Sequence, residues 1–150
     1  MTPAFAIGPA NVQDVTAMAA ILTDWADDAP WLLPRPTLAD NRAWCENLIA
    51  GQEVLAARAP AFLGFLARDG ETVSALYLAP LARRRGVGAA LVKAARAGRS
   101  RLEVWTWGAN AAALAFWQAQ GFRIVATTEG GEDAGGMPDL NLEWRRGPGP

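Results

Sequence analysis

The period of the apolar positions changes several times along the chain, and each change marks an element. A short apolar run over residues 4–7 ends at Gly8-Pro9 and predicts a first strand. Asn11 is placed as an N-cap, and Val12, Val15, Met18, Ala19 and Leu22 then recur at the spacing of a helix with one buried face. Pro30, Pro34 and Pro36 make residues 27–36 a loop, because proline lacks the N–H that a helix uses. Thr37 caps a second helix through Ile49, which stops at Gly51. Three strand-like runs follow, 53–59, 62–68 and Thr72–Leu78, and Asp69-Gly70 between the last two is a hairpin signal. Beyond Pro80 the helical period returns over 86–97, closed by Gly98. Arg101–Trp107 reads as a strand, and Asn110 caps a helix over 111–120 with Gly121 just past its end. A strand over 122–128, a glycine-rich loop over 129–137 and a last strand over 140–146 complete the order β-α-α-β-β-β-α-β-α-β-β. No repeat interrupts it, so the chain reads as one α/β domain over 1–146 with a Gly/Pro tail over 147–150.

Composition narrows the chemistry. The 150 residues hold no histidine and one cysteine, Cys45. A Ser-His-Asp triad, a Cys-His dyad and a histidine metal site are excluded, as are an internal disulfide and a cysteine zinc site. The formal charge of −1 averages unlike segments: residues 1–50 sum to −4, 51–100 to +5 and 101–150 to −2. Between Arg83 and Arg101 stand seven bases (Arg83, Arg84, Arg85, Lys93, Arg96, Arg99, Arg101) and no acid. That stretch suits an anionic ligand; it lacks the interleaved aromatics of a nucleic-acid surface. No run of the ~20 apolar residues that span a bilayer is present, and the first ten residues lack the charged start of a secretory signal. A cytoplasmic location is expected, with neither membrane nor nucleic acid as partner.

The most informative stretch is Leu76-Tyr77-Leu78-Ala79-Pro80-Leu81-Ala82-Arg83-Arg84-Arg85-Gly86-Val87-Gly88-Ala89, a strand running through a basic, glycine-containing loop into a helix. Unpaired N–H groups and partial positive charge at a helix start attract anions, and glycine lets a phosphate approach the backbone. The spacing matches neither GxxxxGK[ST] nor GxGxxG, so the common nucleotide loops are ruled out. A solvated helix start on an arginine-rich surface fits the same residues.

Arg83-x-x-Gly86-x-Gly88-Ala89 resembles the [Q/R]xxGx[G/A] loop of the GCN5-related N-acetyltransferase (GNAT) superfamily. Asn110, Ala113, Phe116, Trp117, Gly121 and Phe122 are similar to that family's N-x-x-A-x-x-[LF]-Y-x-x-x-G-F helix, with every spacing kept. The resemblance implies an acyl-CoA N-acyltransferase fold of the α/β (α+β) class. This is a mixed, mostly antiparallel sheet of about seven strands, splayed between the fourth and fifth, with four helices. It also implies acetyl-CoA as cosubstrate, no metal, and a small-molecule or peptide amine as acceptor, with a homodimer open as an assembly. Carried over by position, Leu76 and Leu78 offer backbone groups to the pantetheine arm. Arg84, Arg85, Gly86, Val87, Gly88 and Ala89 hold the pyrophosphate, with Arg83 first in the motif. Asn110 and Trp117 lie beside the cofactor, although Asn110 is explained by capping and Trp117 by packing on Phe116.

Trp117 departs from the family's usual tyrosine, and an indole N–H is a very poor acid. The one tyrosine, Tyr77, falls on the strand face opposite Leu76 and Leu78 and is not assigned as the acid. No base stands out: Thr72, Ser74 and Glu103 are weak candidates, Glu103 being explained equally by pairing with an arginine. Acidic groups flank the expected acceptor side, Asp24, Asp27 and Asp28 with Trp25 and Trp31, then Glu129, Glu132 and Asp133. They suggest a cationic acceptor or merely solvated loops. Two functions follow: acetyl transfer to a primary amine by direct attack, or a non-catalytic acyl-CoA-binding module.

Overall fold

Local capping chemistry starts both N-terminal helices. Asn11 accepts a hydrogen bond from the Gln13 N–H while its own N–H donates to Asp14, forming a capping box around a 3-10 turn, Val12–Asp14. The α-helix proper, α1, is Val15–Asp27. Thr37 and Asp40 form the same reciprocal pair at the start of α2, Leu38–Gly51. The computed structural model describes residues 5–29, 35–83, 85–108, 110–128 and 139–147. The remaining elements are β1 (Ala6–Pro9), β2 (Glu53–Arg58), β3 (Phe62–Asp69), β4 (Thr72–Leu78), α3 (Val87–Arg96), β5 (Arg101–Trp107), α4 (Ala111–Ala119), β6 (Arg123–Thr127) and β7 (Asp139–Arg145).

These strands form a seven-stranded sheet in the order β1-β2-β3-β4-β5-β7-β6. The β1–β2, β2–β3, β5–β7 and β6–β7 pairs are antiparallel and β4–β5 is parallel. Among the described residues, seven strands, four α-helices and the splayed parallel pair are the architecture the motifs implied. By compactness the chain divides into residues 1–69 with 74–95, and residues 70–73 with 96–150.

In the first unit, Val15, Met18 and Leu22 of α1 and Cys45 and Leu48 of α2 meet Val54, Phe65, Ala67 and Ala75 of the strands in one buried cluster. Val87, Leu91, Val92 and Ala95 give α3 its buried stripe at helical spacing. Arg58 holds Asp14 through two bonds of 2.6 Å, tying β2 to the start of α1. In the second unit, Leu102, Val104 and Leu142 are buried along the β5–β7 pair. Trp117 and Phe122 are buried where α4 turns into β6.

Several expectations need correction. The first strand includes Gly8 and Pro9, where a break was expected; β1 is an edge strand, and an edge tolerates a residue that cannot donate. Val12, expected on the buried helical face, is 68% exposed, because the capping box places it in the 3-10 turn, out of phase with α1. Gly51 is the last residue of α2 and not a left-handed stop; Gln52, extended, is the cap. A 3-10 turn at Pro80–Ala82 carried no recognised signal. Gly98 and Gly121 do close their helices with positive φ, 71° and 90°. The loop expected over 129–137 lies outside the described residues.

Candidate functional site

In the first unit the site is a strand end and a helix start. β4 pairs with β5 only through Thr72 and Val73, opposite Glu103 and Val104, and the strands splay from Ser74 onward. Ala79 N–H donates to Leu63 O at 2.8 Å, so this end of β4 stays against β3. Successive residues of extended chain direct their backbone groups to opposite edges, so Leu78, and Leu76 with it, present N–H and C=O away from β3. Gly64 permits the approach: a Cβ there would lie 2.5 Å from Leu78 Cδ2 and 2.7 Å from Tyr77 O. Gly64 is absent from the motif-based site residues, although glycine inside a strand run is a signal of close backbone contact.

After the 3-10 turn, Arg83 is extended, and its Nη1 lies 3.2 Å from Oδ2 of Asp28, the C-cap residue just past α1. Arg84 lies outside the described residues, and Arg85 is exposed. Gly86 has φ +80° with nothing near its absent Cβ, so the backbone conformation, not lack of space, requires glycine. Its carbonyl accepts the first helical bond of α3, from Ala90 N–H at 3.0 Å. The N–H groups of Val87, Gly88 and Ala89 precede that bond, and the first turn contains no acidic residue. Fixed N–H donors, the positive helix end and an exposed arginine make a donor set that fits a phosphate or pyrophosphate.

Tyr77 is turned into the core. Its ring centroid is 5.2 Å from Trp25, 5.9 Å from Phe65 and 6.3 Å from Trp44, and burial raises its pKa to about 12. Cys45, in the same cluster, is raised to about 11, by burial first and Glu46 second. Asp27 pairs with Arg35 and Asp28 with Arg83, so two of the acidic groups proposed to draw a cation already hold arginines. Asp24 is exposed, while Trp31, Glu129, Glu132 and Asp133 lie outside the described residues.

In the second unit, two of the seven bases of the electropositive run are structural. Arg96 donates to the Gln120 carbonyl and sits 4.8 Å from the Trp144 ring centroid. Arg101 enters a carboxylate cluster: Nε is 2.6 Å from Glu143, Nη2 is 3.1 Å from Glu103 and Nη1 is 3.5 Å from Glu71. Thr72 Oγ1 donates to Glu103 Oε1 at 3.0 Å, which brings two of the weak base candidates together. The Thr72 hydroxyl first, then Arg101 and Asn141, hold the Glu103 carboxyl below the ordinary glutamate range against the opposing effect of burial. That direction makes it a weaker base. Ser74, in the first unit, is exposed. Asn110 Oδ1 accepts from Ala113 N–H at 3.1 Å, the capping role expected of it. Trp117 is 4% exposed and packs edge-on against Phe116 at 5.2 Å and Phe122 at 4.8 Å.

A sheet that splays at one parallel pair, with the strand before the gap leading through a basic loop into an anion-ready helix start, defines the class of protein. The acetyltransferase (GNAT) domain model matches residues 42–124, and the chain belongs to that family. Over 83 residues it is 34% identical to the peptidyl-lysine N-acetyltransferase YiaC of Escherichia coli (strain K12). That stretch covers 55% of this chain and 56% of YiaC, little more than half of the relative. Among solved structures, apo YjaB of Escherichia coli superposes with a TM-score of 0.77 at 22% identity, covering 96% of this chain and 98% of that one. YncA of Salmonella typhimurium, solved with its cofactor acetyl-CoA, gives 0.69 at 20% identity, covering 97% of each chain.

Proposed function

We propose that this chain, acting as one domain over 1–146, is an N-acetyltransferase that moves an acetyl group from acetyl-CoA to a primary amine by direct attack. The observation that carries the reading is the start of α3: Gly86 at positive φ, three N–H groups ahead of the first helical bond, and no acid in the first turn. Residues 84–89 hold the pyrophosphate, with Arg83 beside them, and the outward backbone groups of Leu76 and Leu78 align the pantetheine arm. Asn110 lies on the cofactor side at the start of α4, and Trp117, packed against Phe116 and Phe122, supports that helix. A β4 backbone N–H stabilises the charge that develops on the thioester oxygen as the amine adds. Alignment of amine and thioester supplies the larger part of the acceleration. The thiolate of coenzyme A leaves without a tyrosine proton donor, and the amine loses its proton to solvent, through a water chain at Thr72 or Ser74. The acceptor is a cationic amine, and the likeness to YiaC, a peptidyl-lysine N-acetyltransferase, puts lysine side chains of peptides at the head of the panel.

Thiol release from acetyl-CoA over peptides, polyamines, amino acids and aminoglycosides tests this directly. Acetyl-CoA is expected to raise Tm, and Gly86→Asp to abolish the rise, by placing a carboxylate where the phosphate sits and a side chain at positive φ. An unchanged melting curve at millimolar acetyl-CoA overturns the proposal. The packed Trp117, standing where the family commonly has tyrosine, favours one alternative, a module that binds acyl-CoA without turnover. Binding without thiol release across the panel selects that alternative.

A further inference from the structure

Only two residues of β4 pair with β5, and the side chains around that short parallel junction converge on one guanidinium. Arg101 reaches Glu71 immediately before β4, Glu103 on its own strand and Glu143 on β7. Glu103 also takes the Thr72 hydroxyl at 3.0 Å, and its backbone N–H donates to Glu71 O at 2.8 Å. Asn141 of β7 directs its amide nitrogen to the Val104 carbonyl at 3.4 Å and to Glu103 Oε2 at 3.5 Å. The first residues of β4, the start of β5 and the end of β7 are therefore held by one charge-assisted network, and splaying begins where that network ends.

We propose that Arg101 is a positioning residue that fixes the point at which β4 and β5 part, and through it the register of the β4 edge toward acyl-CoA. The effect on acyl-CoA rests on the reading of that edge given above. Without Arg101, three carboxylates converge on the junction, and among the described residues Arg145 answers Glu143 but neither Glu71 nor Glu103. Glu71 and Glu103 then repel each other across the two strands that the junction joins. A planar guanidinium with five donors serves three carboxylates at once, whereas a lysine ammonium is a single point of charge.

Hydrogen exchange in the ligand-free protein tests the junction independently of any cofactor. Arg101→Met is expected to speed exchange of the Glu103 amide by about tenfold while leaving α1 and α2 amides unchanged. In turnover, the same variant raises KM for acetyl-CoA by roughly five- to tenfold with kcat at saturation within about twofold. Arg101→Lys falls between, and adding Glu71→Ala to Arg101→Met restores part of the KM by removing the repulsion. Unchanged Glu103 exchange in folded Arg101→Met overturns the proposal, as does a KM for the amine that rises as much as that for acetyl-CoA. Should Arg101→Met not fold, Glu71→Ala alone cuts one of the three links at an exposed position, and Glu103 exchange rises by about twofold or the proposal fails. If wild-type protein gains no exchange protection from acetyl-CoA, the acyl-CoA reading fails while the exchange comparison still decides the role of Arg101.

Discussion

Asp28 and Arg83 face each other at 3.2 Å, so the first arginine of the anion loop is held by a carboxylate at the end of α1. The pair is well exposed, with side chains 65% and 40% accessible, which limits its strength through solvent screening. It nonetheless opposes any anion that draws on Arg83. Asp28→Asn is expected to tighten acetyl-CoA binding by about two- to fivefold at low ionic strength, with the gain shrinking as salt is added. Calorimetric titration at two salt concentrations measures this, and weaker binding by the variant contradicts it.

Gly64 sits where β3 and the end of β4 are closest. Gly64→Ala places a Cβ against backbone as well as a leucine methyl, and the backbone oxygen of Tyr77 at 2.7 Å cannot swing away. A loss of about 1–3 kcal/mol is expected from this overpacking. Gly51→Ala is the control: nothing lies within 4 Å of its Cβ position and its φ is ordinary, so alanine at this helical residue stabilises by up to about 0.5–1 kcal/mol. Urea unfolding of the two variants checks both signs.

Trp117 is spent on packing, and its substitutions separate packing from chemistry. Trp117→Ala is expected to cost about 3–5 kcal/mol, the range for a large buried aromatic. Trp117→Phe keeps an apolar ring against Phe122 and retains turnover within about threefold, since the indole N–H is no proton donor in the proposed reaction. A loss of turnover beyond a hundredfold in a stably folded Trp117→Phe contradicts this.

Acid exposes the Asp14–Arg58 clamp. The hydrogen bonds from Arg58 come first, and with the Asn11 N–H they hold the Asp14 carboxyl below its ordinary 3.8 in spite of burial. A carboxyl with a depressed folded pKa contributes stability that is complete above the unfolded pKa and is lost as pH falls through the folded one. Arg58→Met is therefore less stable than wild type at pH 7, and the difference narrows as pH drops below 3.8. Urea midpoints measured across the acid range test the convergence.

Cys45 carries a thiol raised to about 11 in a fully buried cluster. A thiol-specific reagent at pH 8 is expected to label it only as fast as the protein opens, since the thiolate is the reactive form. Labelling that ignores denaturant below the unfolding transition contradicts the placement.

Elements whose signals are local could be read directly from the chain. The capping pair Thr37/Asp40, the closing glycines Gly98 and Gly121 and the Asn110 cap all depend on groups within four residues of one another. Periodicity alone gives the wrong phase for α1, because Val12 continues the apolar period while the Asn11–Asp14 box holds it in a 3-10 turn. The electropositive run overstates the free charge for a different reason. Arg96 and Arg101 look identical to Arg85 in sequence, yet one lies over Trp144 and the other is ringed by three carboxylates.

By itself the sequence determined the order of elements, the absence of histidine and cysteine-pair chemistry, and the two motifs that place the chain in its family, because each rests on residue type and short spacing. Tertiary structure alone decided which charges remain available. Asp28 meets Arg83 across 55 residues, and Thr72 meets Glu103 across 31. Pairing at such separations is set by how helices and strands pack, which no local pattern encodes. The near-neutral chain is thus a set of charges sorted by folding, some used to fasten strands and others left at the start of α3.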